Sequence, residues 1–446
     1  MLSAYAKTYQ GQKVGFVGLG ISNLPVLRIL KDAGAICSVR DKKNLRDNPS
    51  FAELEREGIL FRCGKEYLKN IDEDVLFLSP AVRPDQPDLL DARSRGVRIT
   101  NEMQEFFSLC PCPIIGITGS DGKTTTTTLT AKLLEASGHR VHLGGNIGKN
   151  LLSMLDDIRE DDFAVVELSS FQLFKLDRSP AVAAITNLSP NHLDWHTDMQ
   201  EYADAKENIF AFQNENGLLV LNKDDKHAQE YAGKAHGCVK WISGTQKADI
   251  WFDGVGIYRD ETLIVRDEEL LLIGRYNRYN LAMAICLTEG LVTDEAICKV
   301  ARTFGGVEHR CELVREKDGV RYYNSSIDSS PSRTAACLKS FAQKVIVICG
   351  GYDKNIPLEP LGELFIRHAK HAVLCGTTAE KIERVLQSVG YTDYTRVCEF
   401  EKAVQVASSL AKRGDCVVLS PAAASFDMFV NFAQRGEAFK QLVKEL

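Results

Sequence analysis

Thr118-Gly119-Ser120-Asp121-Gly122-Lys123-Thr124-Thr125 stands between the apolar run Ile114 to Ile117 and a segment running on to Ala136. The run reads as a buried strand, and the segment from about Lys123 as a helix stopped by Ser137-Gly138. Glycines in such a turn let backbone N–H groups curl around phosphate oxygens, and the helix N-terminus adds its positive dipole end. Lys123 can then reach β and γ phosphates, and a threonine hydroxyl just after it can ligate Mg²⁺. The strict G-x-x-x-x-G-K-[ST] pattern is not met, because Ile117 occupies the first glycine position. A turn capped by threonines is the alternative. Strand, glycine pair and Lys-Thr in this order favour a nucleoside triphosphate.

Working outward, strands and helices alternate in three blocks. Lys13 to Val17 reads as a strand ending at Gly18-Leu19-Gly20, Asn23 to Ala33 as a helix, and Val75 to Leu78 as a strand ending in Ser79-Pro80. The central block adds strands at Phe163 to Val166, Val182 to Ile185 and Leu218 to Leu221. Within it, Asp249 to Ile273 alternates like antiparallel hairpins, and Asn277 to Glu289 reads as a helix. The third begins near Gly306 and includes the buried run Lys344 to Cys349 before Gly350-Gly351. The expectation is an α/β chain of three domains, 1–101, 102–306 and 307–446, with mainly parallel sheets and a small antiparallel part in the middle one. At about 150 residues per domain, 446 residues suit three.

Lys plus Arg is 54 against 60 for Asp plus Glu, a net charge of -6, which gives no support to a general nucleic-acid or membrane-surface binder. No apolar run is long enough to span a bilayer, and the N-terminus lacks a secretory h-region. The 13 cysteines lie scattered through core-like segments, with Cys110 and Cys112 the one close pair. They read as reduced thiols of a cytoplasmic enzyme.

The phosphate loop, followed by Gly144-Gly145-Asn146-Ile147-Gly148, Glu167-Leu168-Ser169-Ser170-Phe171-Gln172 and Thr186-Asn187 with His192-Leu193-Asp194, resembles the Mur ligase family over essentially the whole chain. Asn191 departs from that family's usual Asp. The resemblance implies ATP-dependent joining of an amino acid to a carboxylate through an acyl phosphate, with ATP and two Mg²⁺ (or Mn²⁺) ions. It implies a catalytic set of Lys123, Glu167, His192 and Lys206, with Thr124, Glu167, His192 and carbamylated Lys206 on metal. Composition alone puts Lys206 on a solvated helix face (Tyr202 to Phe210) and leaves Glu167 open as an acidic strand cap. ATP contacts are expected from Gly119, Ser120, Asp121, Gly122, Lys123, Thr124 and Thr125, from Asn280 in Gly274-Arg275-Tyr276-Asn277-Arg278-Tyr279-Asn280, and from Arg310 after His309. Tyr276 departs from the common His, and either Asn277 or Asn280 could instead cap the helix.

Gly18-Leu19-Gly20-Ile21-Ser22-Asn23 follows a strand and opens a helix, so its N–H groups suit a nucleotide diphosphate; Asp41 ends the next strand. Read alone, this is a nicotinamide site; the resemblance is instead to a UDP-muramoyl pocket formed by Gly18, Gly20, Ile21, Ser22, Asn23, Asp41, Ser79 and Asn146. Leu419-Ser420-Pro421-Ala422-Ala423-Ala424-Ser425-Phe426-Asp427 and Asn431-Phe432-Ala433-Gln434-Arg435-Gly436 resemble the family's D-glutamate-adding members. Lys354, Ser425, Phe432 and Ser329 are the implied D-glutamate residues, with Lys354 as a solvent-facing loop cation in the alternative. In Asn324-Ser325-Ser326-Ile327-Asp328-Ser329 the family's N-D-S-K-A-T is altered: Ser325 replaces Asp and Ile327 replaces Lys. The implied substrates are ATP, D-glutamate and UDP-N-acetylmuramoyl-L-alanine, taken by a monomer that closes about residues near 101 and 306, with no nucleic-acid partner and no membrane insertion. A relative adding another amino acid, a nicotinamide dehydrogenase and a non-catalytic nucleotide binder are the competing classes.

Overall fold

The structure, a computed structural model, describes residues 1–45 and 49–446. It forms two compact units, Met1–Ile264 with Tyr279–Ile297, and Val265–Arg278 with Cys298–Leu446. The α/β expectation holds, with three sheets. The first two sheets share one unit, and the second unit also takes the short segment Val265–Arg278 from before residue 306.

In the first unit, five parallel strands run in the order Leu60–Cys63, Ile36–Asp41, Lys13–Val17, Val75–Leu78, Arg98–Thr100. The chain leaves the central strand Lys13–Val17 and winds to both sides of it, so a crevice opens above that strand's C-terminal end, where Gly18 sits. The run Val14 to Val17 is buried because helices cover a parallel sheet on both faces, which is why it reads as continuously apolar apart from Gly15. A second sheet of nine strands has Ile114–Thr118 inside it, flanked by Phe163–Glu167 and Val182–Ile185. Seven of its strands, from Val141–Gly145 to Ile250–Phe252, pair in parallel. Gly256–Arg259 then turns back antiparallel, so the hairpin character expected for 249–273 begins one strand late.

Arg40, fully buried in Ile36–Asp41, anchors the first sheet. Its Nε and Nη2 each donate to Glu73 at 2.8 Å, and its remaining N–H groups reach the carbonyls of Tyr67, Lys69 and Asn70 at 2.9–3.0 Å. A planar fork can tie a whole loop under the sheet in this way.

The second unit has a six-stranded sheet in the order Glu312–Lys317, Val320–Asn324, Cys416–Leu419, Val345–Cys349, Ala369–Leu374, Tyr394–Arg396. Its first pair is antiparallel and the rest are parallel. None of the 13 cysteines is in a disulfide, and most of them are buried. Among the described residues, no helix is long and apolar enough to cross a membrane.

Removing the guanidinium in Arg40→Ala strands a buried Glu73 carboxylate, a loss of about 3–5 kcal/mol by analogy with other broken buried pairs. Urea unfolding of this variant is expected to start at a clearly lower midpoint than in the unmodified chain. Coincident curves would show that the pair carries no stability.

Candidate nucleotide-binding active site

Thr118 ends the strand Ile114–Thr118 and the helix Lys123–Ala136 begins five residues later, with Gly122 as its N-cap in the left-handed region (φ +81°). No side chain caps this helix, so the threonine-cap alternative does not hold; Thr127 and Thr128 instead bond back to the carbonyls of Lys123 and Thr124. Both loop glycines are required by contact. A Cβ on Gly119 (φ +143°) would lie 1.9 Å from Thr186 Oγ1, and one on Gly122 would lie 2.4 Å from Asn280 Oδ1. The Thr186-Asn187 pair locks the loop. Thr186 Oγ1 and Asn187 Nδ2 donate to the Asp121 carbonyl at 2.6 and 3.0 Å, while the Ser120 and Asp121 N–H groups donate to Asn187. Asn280 accepts from Thr126 at 3.3 Å beneath the helix start, whereas Asn277 belongs to the other unit and donates to the Ile273 carbonyl. The shared motif thus divides.

Two ammonium groups meet at one oxygen. Lys123 Nζ donates to the carbonyls of Gly119 and Ser120 at 3.0 and 2.9 Å, and Lys206 Nζ donates to the same Gly119 carbonyl at 2.8 Å. Lys206 is 1 % exposed, which corrects the solvated-face reading: its helix, Met199–Glu207, turns Tyr202, Ala205 and Lys206 inward against the phosphate loop. Burial, and then the charge of Lys123, push its pKa well below the usual lysine value, against the pull of Glu167 and Asp121. Glu167 is equally buried, so it is no water-facing cap. Its Oε1 accepts from Asn146 at 2.8 Å, while buried Oε2 has no hydrogen-bond partner among the described residues. An orphaned carboxylate oxygen at the rim of parallel strands, beside a phosphate loop, fits a hard divalent cation. His192 is exposed, with its backbone left-handed (φ +55°) and its ring 4.9 Å from that of Phe171. Partial desolvation of its ring, then Lys123, hold its pKa below the usual histidine value, a shift that favours the neutral imidazole a metal requires. Ser169 and Gln172 form a capping box, so part of the E-L-S-S-F-Q run serves the helix start and not the ligand.

The first glycine loop has a different role for its last residue. Asn23 is fully buried, and its amide donates to the carbonyls of Val17, Gly18 and Phe77, so it braces the loop from beneath. Asp41 accepts from the Leu19 N–H at 3.1 Å, and a Cβ on Gly18 (φ +79°) would lie 2.9 Å from that of Ser79. Gly20 and Ile21 are exposed above, while Ser22 accepts from Asn150 through its carbonyl at 2.8 Å. Of the expected pocket, Asn146 alone sits at the second sheet, on Glu167.

In the second unit the candidate residues come from the C-terminal ends of three neighbouring strands, where Asn324 pairs with Leu419 and Ile348 with Leu419. Arg435, 1 % exposed, stitches these loops together by donating to Ser326 Oγ and to the carbonyls of Ser326, Ala423 and Ala424 at 2.9–3.1 Å. It was not foreseen as a site residue, although the Arg-Gly of the terminal motif was its signal. Ser425 is buried in that loop, Ser329 is half-buried, Phe432 is exposed, and Lys354 lies in solvent with Nζ 5.8 Å from the Phe426 ring. Arg310 is exposed beside His309, whose ring nitrogen Nδ1 is 2.9 Å from the Asn324 amide. Glu308, His309 and Glu437 also converge, yet Lys440 already neutralises both carboxylates.

Residues 117–288 match the Mur ligase middle domain, and residues 309–423 match the Mur ligase, glutamate ligase domain. A Clostridium beijerinckii protein named UDP-N-acetylmuramoylalanine–D-glutamate ligase is 45% identical, covering 98% of this chain and 97% of its own. One of the same name from Ruminiclostridium cellulolyticum is 42% identical over 100% and 99%. The chain belongs to the Mur ligase family. Its fold matches UDP-N-acetylmuramate-alanine ligase MurC from Thermotoga maritima (TM-score 0.61, 18% identity, 97% and 99% covered). It also matches MurF from Acinetobacter baumannii (TM-score 0.62, 14% identity, 100% and 98% covered).

Against the Mur ligase run, the departure at Ser325 has a neighbour that answers it. Asp328 is buried, its N–H donates to the Ser325 carbonyl at 3.0 Å, and its Oδ2 accepts from Ser420 Oγ at 2.8 Å. Burial pushes its carboxyl up to about 6, against hydrogen bonds from Ser325, Ser420 and Cys337. The folded chain therefore keeps a proton that an unfolded carboxyl, near about 4, has released. Stability falls as pH rises between those values and stays lower above them. Asp328→Asn is expected to abolish that fall and to be more stable at pH 7.5 by about 3 kcal/mol, read from thermal unfolding across pH 4–7.5. Parallel pH curves for the two chains would contradict this assignment.

Proposed function

We propose that this chain joins D-glutamate to UDP-N-acetylmuramoyl-L-alanine at the expense of ATP, through an acyl phosphate, as a step in peptidoglycan precursor synthesis. The observation that carries the chemistry is the meeting of Lys123, Lys206 and Glu167 at the phosphate loop. The choice of amino acid rests on the likeness to the D-glutamate ligases and on the terminal loops that Arg435 holds.

In this reading the N–H groups of 119–125 and the start of the helix hold the triphosphate, and Lys123 leaves its carbonyl partners for the phosphates. Asn280 and Arg310 complete the ATP contacts. Glu167 Oε2, His192, the Thr124 hydroxyl and a carbamate on Lys206 would hold two Mg²⁺ or Mn²⁺ ions. When bound, those ions neutralise charge on the transferring phosphoryl group. The support for the carbamate is that burial lowers the pKa of Lys206 and so favours the uncharged amine, the form that adds to CO₂, and that the product would put an anion where a lysine stands beside Glu167. The substrate carboxylate attacks the γ-phosphorus and ADP leaves. The D-glutamate amine then attacks the acyl carbon, and collapse of the tetrahedral intermediate expels phosphate. Gly18, Gly20, Ile21, Ser22, Asp41 and Ser79 take the UDP end, with Asn23 acting from beneath. Lys354 and Ser425 take the carboxylates of D-glutamate, with Phe432 and Ser329 at the wall. We take the working unit to be a single chain in the cytoplasm.

Phosphate release with UDP-N-acetylmuramoyl-L-alanine and ATP tests the proposal. D-Glutamate is expected to support turnover, with L-glutamate and L-alanine at background. Turnover with L-alanine alone would overturn the assignment. With ¹⁸O in the substrate carboxylate, label is expected in the released phosphate, and its absence would exclude an acyl phosphate.

A further inference from the structure

We infer that Asn146 is a positioning residue for the Glu167 carboxylate, holding one oxygen so that the other is left for a divalent cation. The inference rests on the proposed reading of Glu167 as a metal ligand and goes beyond it. It gives Asn146 a different task from the UDP-substrate contact expected of it.

The two residues are brought together by the sheet. Gly145 pairs with Glu167 in parallel register, and the turn that follows folds Asn146 back across the end of the neighbouring strand. A Cβ at Gly145 (φ +94°) would lie 2.2 Å from the Glu167 carbonyl oxygen, so the approach depends on glycine. Asn146 then grips Glu167 twice. Its backbone N–H donates to the Glu167 carbonyl at 2.8 Å, and its Nδ2 donates to Oε1 at 2.8 Å. The first bond fixes the backbone of Glu167 and the second fixes the rotation of its carboxylate. Oε2 remains buried, with no hydrogen-bond partner among the described residues, in a residue that is 1 % exposed. A buried acceptor left over while its twin is satisfied is costly, and a cation removes that cost. Partners that orient a metal-ligating side chain typically account for ten- to a hundredfold in metal affinity.

Mn²⁺ titration followed by electron paramagnetic resonance, with no substrate present, reads this without reference to turnover. Asn146→Ala and Asn146→Ser are expected to bind Mn²⁺ about tenfold or more weakly than the unmodified chain; both stay folded at the assay temperature, with a lowered melting temperature because buried Glu167 Oε1 loses its partner. Glu167→Gln is expected to lose the site, and Asn146→Ala to add nothing to that loss. If Glu167→Gln loses Mn²⁺ while both Asn146 variants keep full affinity, the positioning role is wrong and the metal reading stands. If the variants show only a raised KM for the UDP substrate, Asn146 is a substrate contact instead. If the unmodified chain binds Mn²⁺ no better than Glu167→Gln, Glu167 is not a metal ligand and the inference falls with it.

Discussion

The carbonyl oxygen of Gly119 accepts from two lysines, and the rest of the site follows from that crowding. Their Nζ atoms can be no more than about 6 Å apart, where two unit charges repel by roughly 3 kcal/mol at an effective dielectric of 20. The site relieves this in two ways. Burial and the charge of Lys123 lower the pKa of Lys206, against the pull of Glu167 and Asp121, and an anion brought to the loop would offset the charge of Lys123. The loop thus carries the electrostatic demand that a triphosphate would satisfy, with little reorganisation needed at the backbone.

That preorganisation has a structural source. The loop, Glu167 and Thr186 are the C-terminal ends of neighbouring parallel strands, in register at Ile117 with Glu167 and Thr118 with Ile185. Strand pairing therefore sets their spacing. Glycine at 119 and 122 lets Thr186 and Asn280 press directly on the turn, and the Asn187 amide closes it from the side. In the second unit a buried guanidinium is the clamp: Arg435 ties the loops after Asn324 and Leu419 to one another, adding to the bond from the Ser325 N–H to the Leu419 carbonyl. Burial pulls its pKa down to about 10, the mark of a cation held by carbonyl dipoles with little countercharge.

What the sequence disclosed was local. Strand, glycine turn and helix at 114–136 could be read from periodicity, and the structure places the helix at Lys123–Ala136 as expected. The strand end that carries Glu167 was equally legible. The burial of Lys206 was not, because the surface that buries it lies about 90 residues upstream, and helical periodicity says nothing about partners that distant. The partners of Asn23 and Asn146 were hidden for a related reason. Each stands in a glycine-rich turn where an amide could face a ligand, and the carbonyls or carboxylate that each bonds are set by strand pairing distant in sequence. The segment Val265–Arg278 joined the second unit although its sequence continues the hairpin pattern before it.

The most direct test of the loop as a triphosphate cradle is the affinity of Lys123→Ala for ATP, measured by calorimetry. The account predicts a loss of at least about tenfold, since a charge-assisted contact to the phosphates disappears while the loop's Thr186 and Asn187 bonds persist. Unaltered ATP affinity in that variant would contradict it.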